Sequence, residues 1–267
     1  MTRDPTPIGF GTWQNEDPEQ CAESVKNALE MGYRHVDTAQ GYDNQDAVGD
    51  GIAAADVDRD DIFLATKVDT GDLGHDDVLR TTEESLEKLG VDTIDLLYVH
   101  WPLDAYDPEG TLSAFDELVD RGDVRHVGLS NFNPEQLAEA RENLDAPIFA
   151  HQVECHPYCQ QEEHLALAEE HDYHLVAYSP LAQTEVFDDP VIQDVAEEHD
   201  ASPAQVSLAW LRQRGAVAIP KATSREHIED NYGSLEVELS DDAKARIDSI
   251  EEEYRVVDFD GAPWELV

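Results

Sequence analysis

Basic residues are scarce in this chain. Its 267 residues include only 17 Lys and Arg against 61 Asp and Glu, a formal net charge of −44. A shell this acidic repels nucleic acid and anionic lipid, so neither is an expected partner. At such a charge, self-repulsion opposes compaction in dilute buffer, where screening is weak. The acids are spread along the whole chain and form no single tail, and we read them as adaptation to concentrated salt. Cysteine is sparse as well. Cys21, Cys155 and Cys159 are an odd, low count, which argues against a disulfide framework and for a reducing cytoplasm. The run Cys155-His156-Pro157-Tyr158-Cys159 has ligand-type residues but no second ligand pair, so no metal is expected. Long apolar runs are missing too. The start, MTRDPTPIGF, has no signal-peptide core, and nothing approaches membrane-spanning length. The expectation is a soluble, cytoplasmic protein.

What is present is a regular alternation. Hydrophobic content is 40%, enough for a sizeable core, and no linker or low-complexity tract divides residues 1–267, so a single domain is expected. Seven short β-rich runs stand out: YRHVD, DIFLATK, IDLLYVH, VRHVGLS, IFAHQ, HLVAYS and AVAIP. An eighth is placed at or near PIGFG, residues 7–11. Between them lie helix-period stretches at 17–31, 45–55, 76–89, 109–121, 134–144, 162–171, 190–199 and 203–214. Asp17-Pro18, Asn133-Pro134 and Ser202-Pro203 each put proline at a first helical position. Near-continuous apolar strands between amphipathic helices predict a parallel sheet covered on both faces. Roughly eight β/α units in about 250 residues is the length of a (β/α)8 TIM barrel, an α/β fold. A doubly wound open sheet is the alternative, but Gly9-Phe10-Gly11-Thr12-Trp13-Gln14 lacks the third glycine of a dinucleotide fingerprint.

The polar residues fall at the strand ends: Asp37, Lys67, His100, Ser130 and Asn131, Gln152, Ser179 and Lys221. In a barrel these ends converge on one mouth, where barrel active sites lie. Singly each is weak, because an Asp before a loop is usually a cap and a lone His is usually structural. Lys67 is harder to dismiss, since two of only five lysines end apolar strands. Tyr42 lies in the loop after Asp37. A tyrosine has a pKa of about 10, and a neighbouring ammonium is expected to lower it. An Asp beside the Lys keeps it charged and placed, and a His orients a substrate oxygen. Asp37, Tyr42, Lys67 and His100 thus make a general acid for a carbonyl turning into an alkoxide.

These segments together resemble the aldo-keto reductases, over nearly the whole chain. GFGTWQ (9–14), GYRHVDTAQGYDNQDAVGDGI (32–52), IFLATKV (62–68), LEKLGVDTIDLLYVHWP (86–102), VGLSNFN (127–133), HQVECHPY (151–158), AYSPLA (177–182) and AIPKAT (218–223) carry the resemblance in the family's order. The ending YRVVDFDGAPWELV looks most like the prokaryotic 2,5-diketogluconate reductase branch. The resemblance implies a barrel oxidoreductase that reduces aldehydes or ketones with NADPH, as a monomer, without metal. Tyr42 is then the proton donor, Lys67 and Asp37 its partners, and His100 orients the substrate. Ser130, Asn131 and Gln152 hold the nicotinamide carboxamide, and Tyr178 stacks on the ring. Thr12, Trp13, Ser179, Leu181, Lys221, Thr223, Ser224, Arg225 and Asn231 are the further cofactor contacts. Trp13 and Trp101 line the substrate pocket, whereas Trp210, inside a helix, is read as core.

The departures narrow this reading. His227 stands where many relatives carry an Arg, and Ala222 where they carry Ser. Histidine does not grip a phosphate bidentately as Arg does, so NADH is also accommodated in this reading, with Ser224 or Arg225 meeting a 2′-phosphate. Asp69 replaces an aromatic and predicts a more polar pocket, and Ala182 replaces a glycine of the phosphate loop. Two other functions are weighed against the reductase. One is a non-catalytic cofactor-binding relative with a regulatory role. The other is a metal-dependent hydrolase using His100, His151 and His156. Trp264, near the C-terminus, either folds over the pocket or packs outside it.

Overall fold

Strand follows strand around the sheet in sequence order, every pair parallel. In this computed structural model, which describes residues 4–265, the strands are β1 (Phe10–Gly11), β2 (His35–Asp37), β3 (Phe63–Val68), β4 (Ile94–Val99), β5 (Val124–Ser130), β6 (Ile148–Glu154), β7 (His174–Tyr178) and β8 (Val217–Ala218). The last strand meets the first. Ile8 pairs with Ala218 and Gly11 with Lys221, both in parallel, and Gly9 N donates to Ala218 O at 2.8 Å. The sheet therefore closes into a (β/α)8 barrel.

The helices are α1 (Pro18–Met31), α2 (Gln45–Ala54), α3 (His75–Leu89), α4 (Pro108–Arg121), α5 (Pro134–Asn143), α6 (Glu162–His171), α7 (Pro190–His199), α8 (Pro203–Gln213), α9 (Arg225–Gly233) and α10 (Asp241–Asp248). The three expected proline starts are all capped. Asp17 accepts from Gln20 N, and Asn133 and Ser202 form reciprocal capping boxes with Gln136 and Gln205. Each such cap is worth about 1 kcal/mol. The helices α9 and α10 were not expected from the sequence. At nine and eight residues they are shorter than any helix the sequence showed, so an apolar period has little room to repeat. The expected strand at 33–37 begins only at His35, and the one at 7–11 shortens to Phe10–Gly11.

Alternation along the strands sorts their side chains. Val36, Leu64, Leu97, Val99, Val127, Leu129 and Leu175 face the helices and join the main core. Phe63, Ala65, Leu96, Tyr98, Ala150, Val176, Val217 and Ile219 fill the barrel interior. Gly128 is required there, because a Cβ at that position would stand 2.4 Å from the Tyr98 ring. Tyr98 can thus lie across the barrel and form a floor beneath the mouth. Trp210 is fully buried, as expected, and its indole N–H donates to Asp248 on α10 at 2.8 Å.

Candidate active site

Four strand ends and one loop bring the chemistry together. Lys67, on the last turn of the β3 pleat, is 1% exposed. Its ammonium donates to the Asp37 carboxylate of β2, to Thr38 O at 2.8 Å, and to Tyr42 Oη at 3.4 Å. The other Asp37 oxygen accepts from Gln152 Nε2 of β6 at 2.9 Å. His100 follows β4, and its ring meets the Tyr42 ring edge-on with centroids 5.8 Å apart. The ordering of the Tyr42 loop rests on residues the sequence reading passed over. Thr38 Oγ1 donates to Asn44 Oδ1, and Asn44 Nδ2 donates to Thr12 O at 2.9 Å, which ties the loop to β1. Gln40 Oε1 accepts from Asp69 N and so links it to the β3 end. Thr38, Gln40 and Asn44 read in sequence as ordinary turn formers, and only their partners reveal the role.

Burial sets the protonation states. The His100 imidazole is pushed down to about 3, first by loss of water and then by the Lys67 charge, so it is neutral near pH 7. Burial raises the pKa of Tyr42. Lys67 opposes that rise but does not reverse it. The sequence-based expectation of a lowered Tyr42 pKa is corrected here, because the neighbour was legible and the desolvation was not. Burial alone would weaken the Lys67 ammonium, but the Asp37 carboxylate and the Tyr42 oxygen more than restore it. The result is a protonated phenol held beside a permanent ammonium, with a neutral imidazole facing it. Such a set can donate a proton to an oxygen on which negative charge develops.

A second network adjoins the first. Tyr178 Oη donates to Asn131 Oδ1 at 2.9 Å, and Asn131 Nδ2 donates to Ser130 Oγ and to His100 O, both at 3.0 Å. Asn131 sits in the left-handed region with φ 64°, a conformation Asn tolerates well among non-glycine residues.

The Aldo/keto reductase family model matches residues 7–252. The chain belongs to this family. Among its relatives, the glyoxal reductase of Bacillus subtilis is 36% identical over 250 residues, covering 93% of this chain and 90% of its own. The methylglyoxal reductase DkgB of Escherichia coli O157:H7 is 37% identical, covering 95% and 96%. A crystal structure provisionally named as that of a 2,5-diketo-D-gluconic acid reductase B superposes with a TM-score of 0.91, at 33% identity over 96% of this chain and 92% of that one.

The remaining expected residues of this aldo/keto reductase follow β1, β4, β7 and β8 or lie on α9. Trp13, in the loop after β1, is 39% exposed, and Trp101 follows His100. Thr12 is buried, and its hydroxyl donates to Asp37 O at 3.0 Å, so it braces the strand end. Ser179, Ala182, Gln183 and Thr184, at φ 48°, 46°, 49° and 89°, form a strained turn after β7, with Leu181 inside it. A glycine in place of Ala182 would relax this turn. Lys221 is exposed beyond β8, and no ion pair or side-chain hydrogen bond engages it among the described residues. Thr223 follows, and Ser224 caps α9 by accepting from His227 N. Arg225 reaches Asn27, and Asn231 is buried on α9. The Asp69 carboxylate accepts from Gly71 N within its own loop.

Trp264 is resolved in favour of the mouth. Its ring packs on Trp101 with centroids 5.7 Å apart, and Phe259 joins both. Glu154 holds this C-terminal segment down. Fully buried, its carboxylate accepts from Val256 N at 2.6 Å, Val257 N at 2.9 Å and pairs with His156. His156 is thereby committed to Glu154, while His151 lies on the far side of the barrel wall against His164 and Tyr173. The described residues contain no group of three or more His, Cys, Asp or Glu arranged to hold a metal.

Proposed function

We propose that residues 1–267 act as one NAD(P)H-dependent reductase domain that converts small aldehydes or ketones to alcohols. One observation carries this reading: the buried Lys67, paired with Asp37, sits 3.4 Å from the Tyr42 hydroxyl at the barrel mouth. A buried ion pair beside a phenol has no packing rationale and is costly to assemble.

The donor set suits a nicotinamide dinucleotide. Ser130, Asn131 and Gln152 present amide and hydroxyl groups for a carboxamide, and the half-buried Tyr178 presents an aromatic face. Unpaired Lys221, the Ser224 cap and the first turn of α9 suit phosphate. The reduced nicotinamide supplies the hydride. Every other step belongs to the protein. His100, neutral, donates a hydrogen bond to the carbonyl oxygen and orients it. Tyr42 gives its proton as that oxygen becomes an alkoxide. Lys67 stabilises the phenolate left behind, and Asp37 keeps Lys67 in place. Trp13, Trp101 and Trp264 exclude water from the reacting atoms.

NADPH is the preferred cofactor under this proposal, and NADH is accepted because His227 offers no bidentate grip. The mouth is complete within one chain, which suits a monomer. The free thiols Cys21, Cys155 and Cys159 suit the cytoplasm.

Oxidation of NADPH and NADH, followed at 340 nm in molar salt with a dicarbonyl and an aromatic aldehyde, tests the proposal. Carbonyl-dependent oxidation supports it. Tight cofactor binding with no turnover across a broad panel would show a binding module instead. Tyr42→Phe should lower turnover by about 100-fold or more while NADPH binding persists. Wild-type turnover in that variant, with a deuterium isotope effect showing hydride transfer to be limiting, would remove Tyr42 from its role.

A further inference from the structure

Polar atoms that a fold buries nearly always find a partner. Among the described residues eleven buried side-chain nitrogen and oxygen atoms have none, and five of these belong to one group drawn from α5, β6, α6 and the turn before β7. They are Arg141 Nη1 in the last turn of α5, both ring nitrogens of His151 on β6, His164 Nδ1 on α6, and Tyr173 Oη. The fully buried His151 ring packs against His164 with centroids 4.9 Å apart and meets the Tyr173 ring edge-on at 6.3 Å. Arg141 stands close enough for its charge to act on the Tyr173 phenol. Strand alternation turns His151 toward the helices, while its neighbour Gln152 points to Asp37 in the active site.

Electrically the group is one-sided. Arg141 acts on Tyr173 and Arg255 on His164, and both charges are positive. Burial keeps the two imidazoles neutral, with His164 pushed down to about 4 and His151 well below the ordinary value. Each neutral ring still carries one N–H, the phenol carries an O–H, and a guanidinium only donates. Arg34, Arg214 and Arg225 are also clear of carboxylates, but they reach carbonyl or amide oxygens instead. Arg141 Nη1 is buried and reaches neither. A water molecule would leave this positive edge unbalanced, whereas a monovalent anion balances it and accepts from N–H and O–H alike. Rings packed this closely leave room for a single atom and not for an organic acid. The net charge of −44 repels anions at long range, but in molar salt the screening length shrinks to about 3 Å and direct contact decides.

We propose that this group is a halide site, in which a chloride or bromide ion between α5, β6 and the turn before β7 receives Arg141 Nη1, Tyr173 Oη and an N–H of His151. The ion ties the end of α5 to the strand that carries Gln152 and Glu154, and so braces the active-site wall from behind. Its stabilisation saturates and depends on which anion is present. Screening of the surface charge instead follows ionic strength.

Thermal unfolding of the wild type, Tyr173→Phe and Arg141→Leu at pH 7.5 tests the site, with chloride replacing methanesulfonate, a polyatomic anion, at constant molar ionic strength. The wild-type midpoint should rise and level off, by about 3 °C or more. Tyr173→Phe should keep less than half of that rise, and Arg141→Leu none. Should Arg141→Leu fail to fold, Tyr173→Phe, which removes a single oxygen, still decides. No saturable rise in the wild type, or the same rise in the variants, would overturn the proposal. Diffraction from crystals grown in bromide locates the ion independently. An anomalous peak within hydrogen-bond reach of Arg141 Nη1 and Tyr173 Oη supports the site. Water alone at that position, or a peak there with no midpoint response to chloride or bromide, which marks an adventitious ion only, would overturn it.

Discussion

Lys67 and Asp37 are 1% and 2% exposed, so each charge depends on the other for stability. Lys67→Met removes one charge and strands a buried carboxylate, a loss of about 3–5 kcal/mol. The double variant Asp37→Asn with Lys67→Met should regain most of that stability while remaining without turnover. Urea unfolding of the three proteins measures it, and a double variant as unstable as the single one would mean that packing, not charge, is at stake. Lys67 was legible in the sequence because lysine is rare here and this one ends an apolar strand. Asn44 was not, since a polar residue in a loop carries no sign of its partners. Tyr42 lies between these cases: its position was readable, but the direction of its pKa depended on how much water the fold removes.

At the scale of elements, repeating apolar pattern decided legibility. The strand at 124–130 and the helices at 162–171 and 190–199 lie where the sequence placed them. The helices α9 and α10, of nine and eight residues, escaped because so short a stretch barely repeats a helical period. The C-terminal segment has no regular period either, and one carboxylate at the end of β6 holds it. Glu154→Ala removes the acceptor for Val256 N and Val257 N. Trypsin should then cleave after Arg255 at least tenfold faster, while the far-UV circular dichroism of the barrel is retained. Cleavage at the wild-type rate would show that the aromatic contacts of Trp264 and Phe259 suffice without the carboxylate.

The whole molecule carries two opposing dependences on solution conditions. Buried histidines set the first. His35 and His164 are pushed down to about 4 and His100 to about 3, in each case chiefly by burial. Between these values and the ordinary 6.5 the unfolded chain binds more protons than the native one. Stability therefore falls as pH drops through that window. A thermal midpoint several degrees lower at pH 5 than at pH 7.5, in molar salt, is the expected result, and an unchanged midpoint would mean that these rings are hydrated or already charged. Net charge sets the second dependence. At pH 7.5 the midpoint should rise steeply from dilute buffer to molar salt, as screening relieves the repulsion of 61 carboxylates. A midpoint independent of salt would refute the reading of the acids as adaptation to concentrated salt.

The sequence by itself determined the parallel β/α alternation and the placing of Asp37, Lys67 and His100 at strand ends with Tyr42 in the loop after the first, because strand period and strand-end position are local properties. Closure of the barrel through residues 7–11 and 217–221, the posture of Trp264 over Trp101, and the capture of Val256 N and Val257 N by Glu154 were decided only by tertiary structure. Each depends on contacts between residues far apart in the chain. Such contacts fix how much water a group keeps and which partner it meets, and neither quantity is written in any one stretch of sequence.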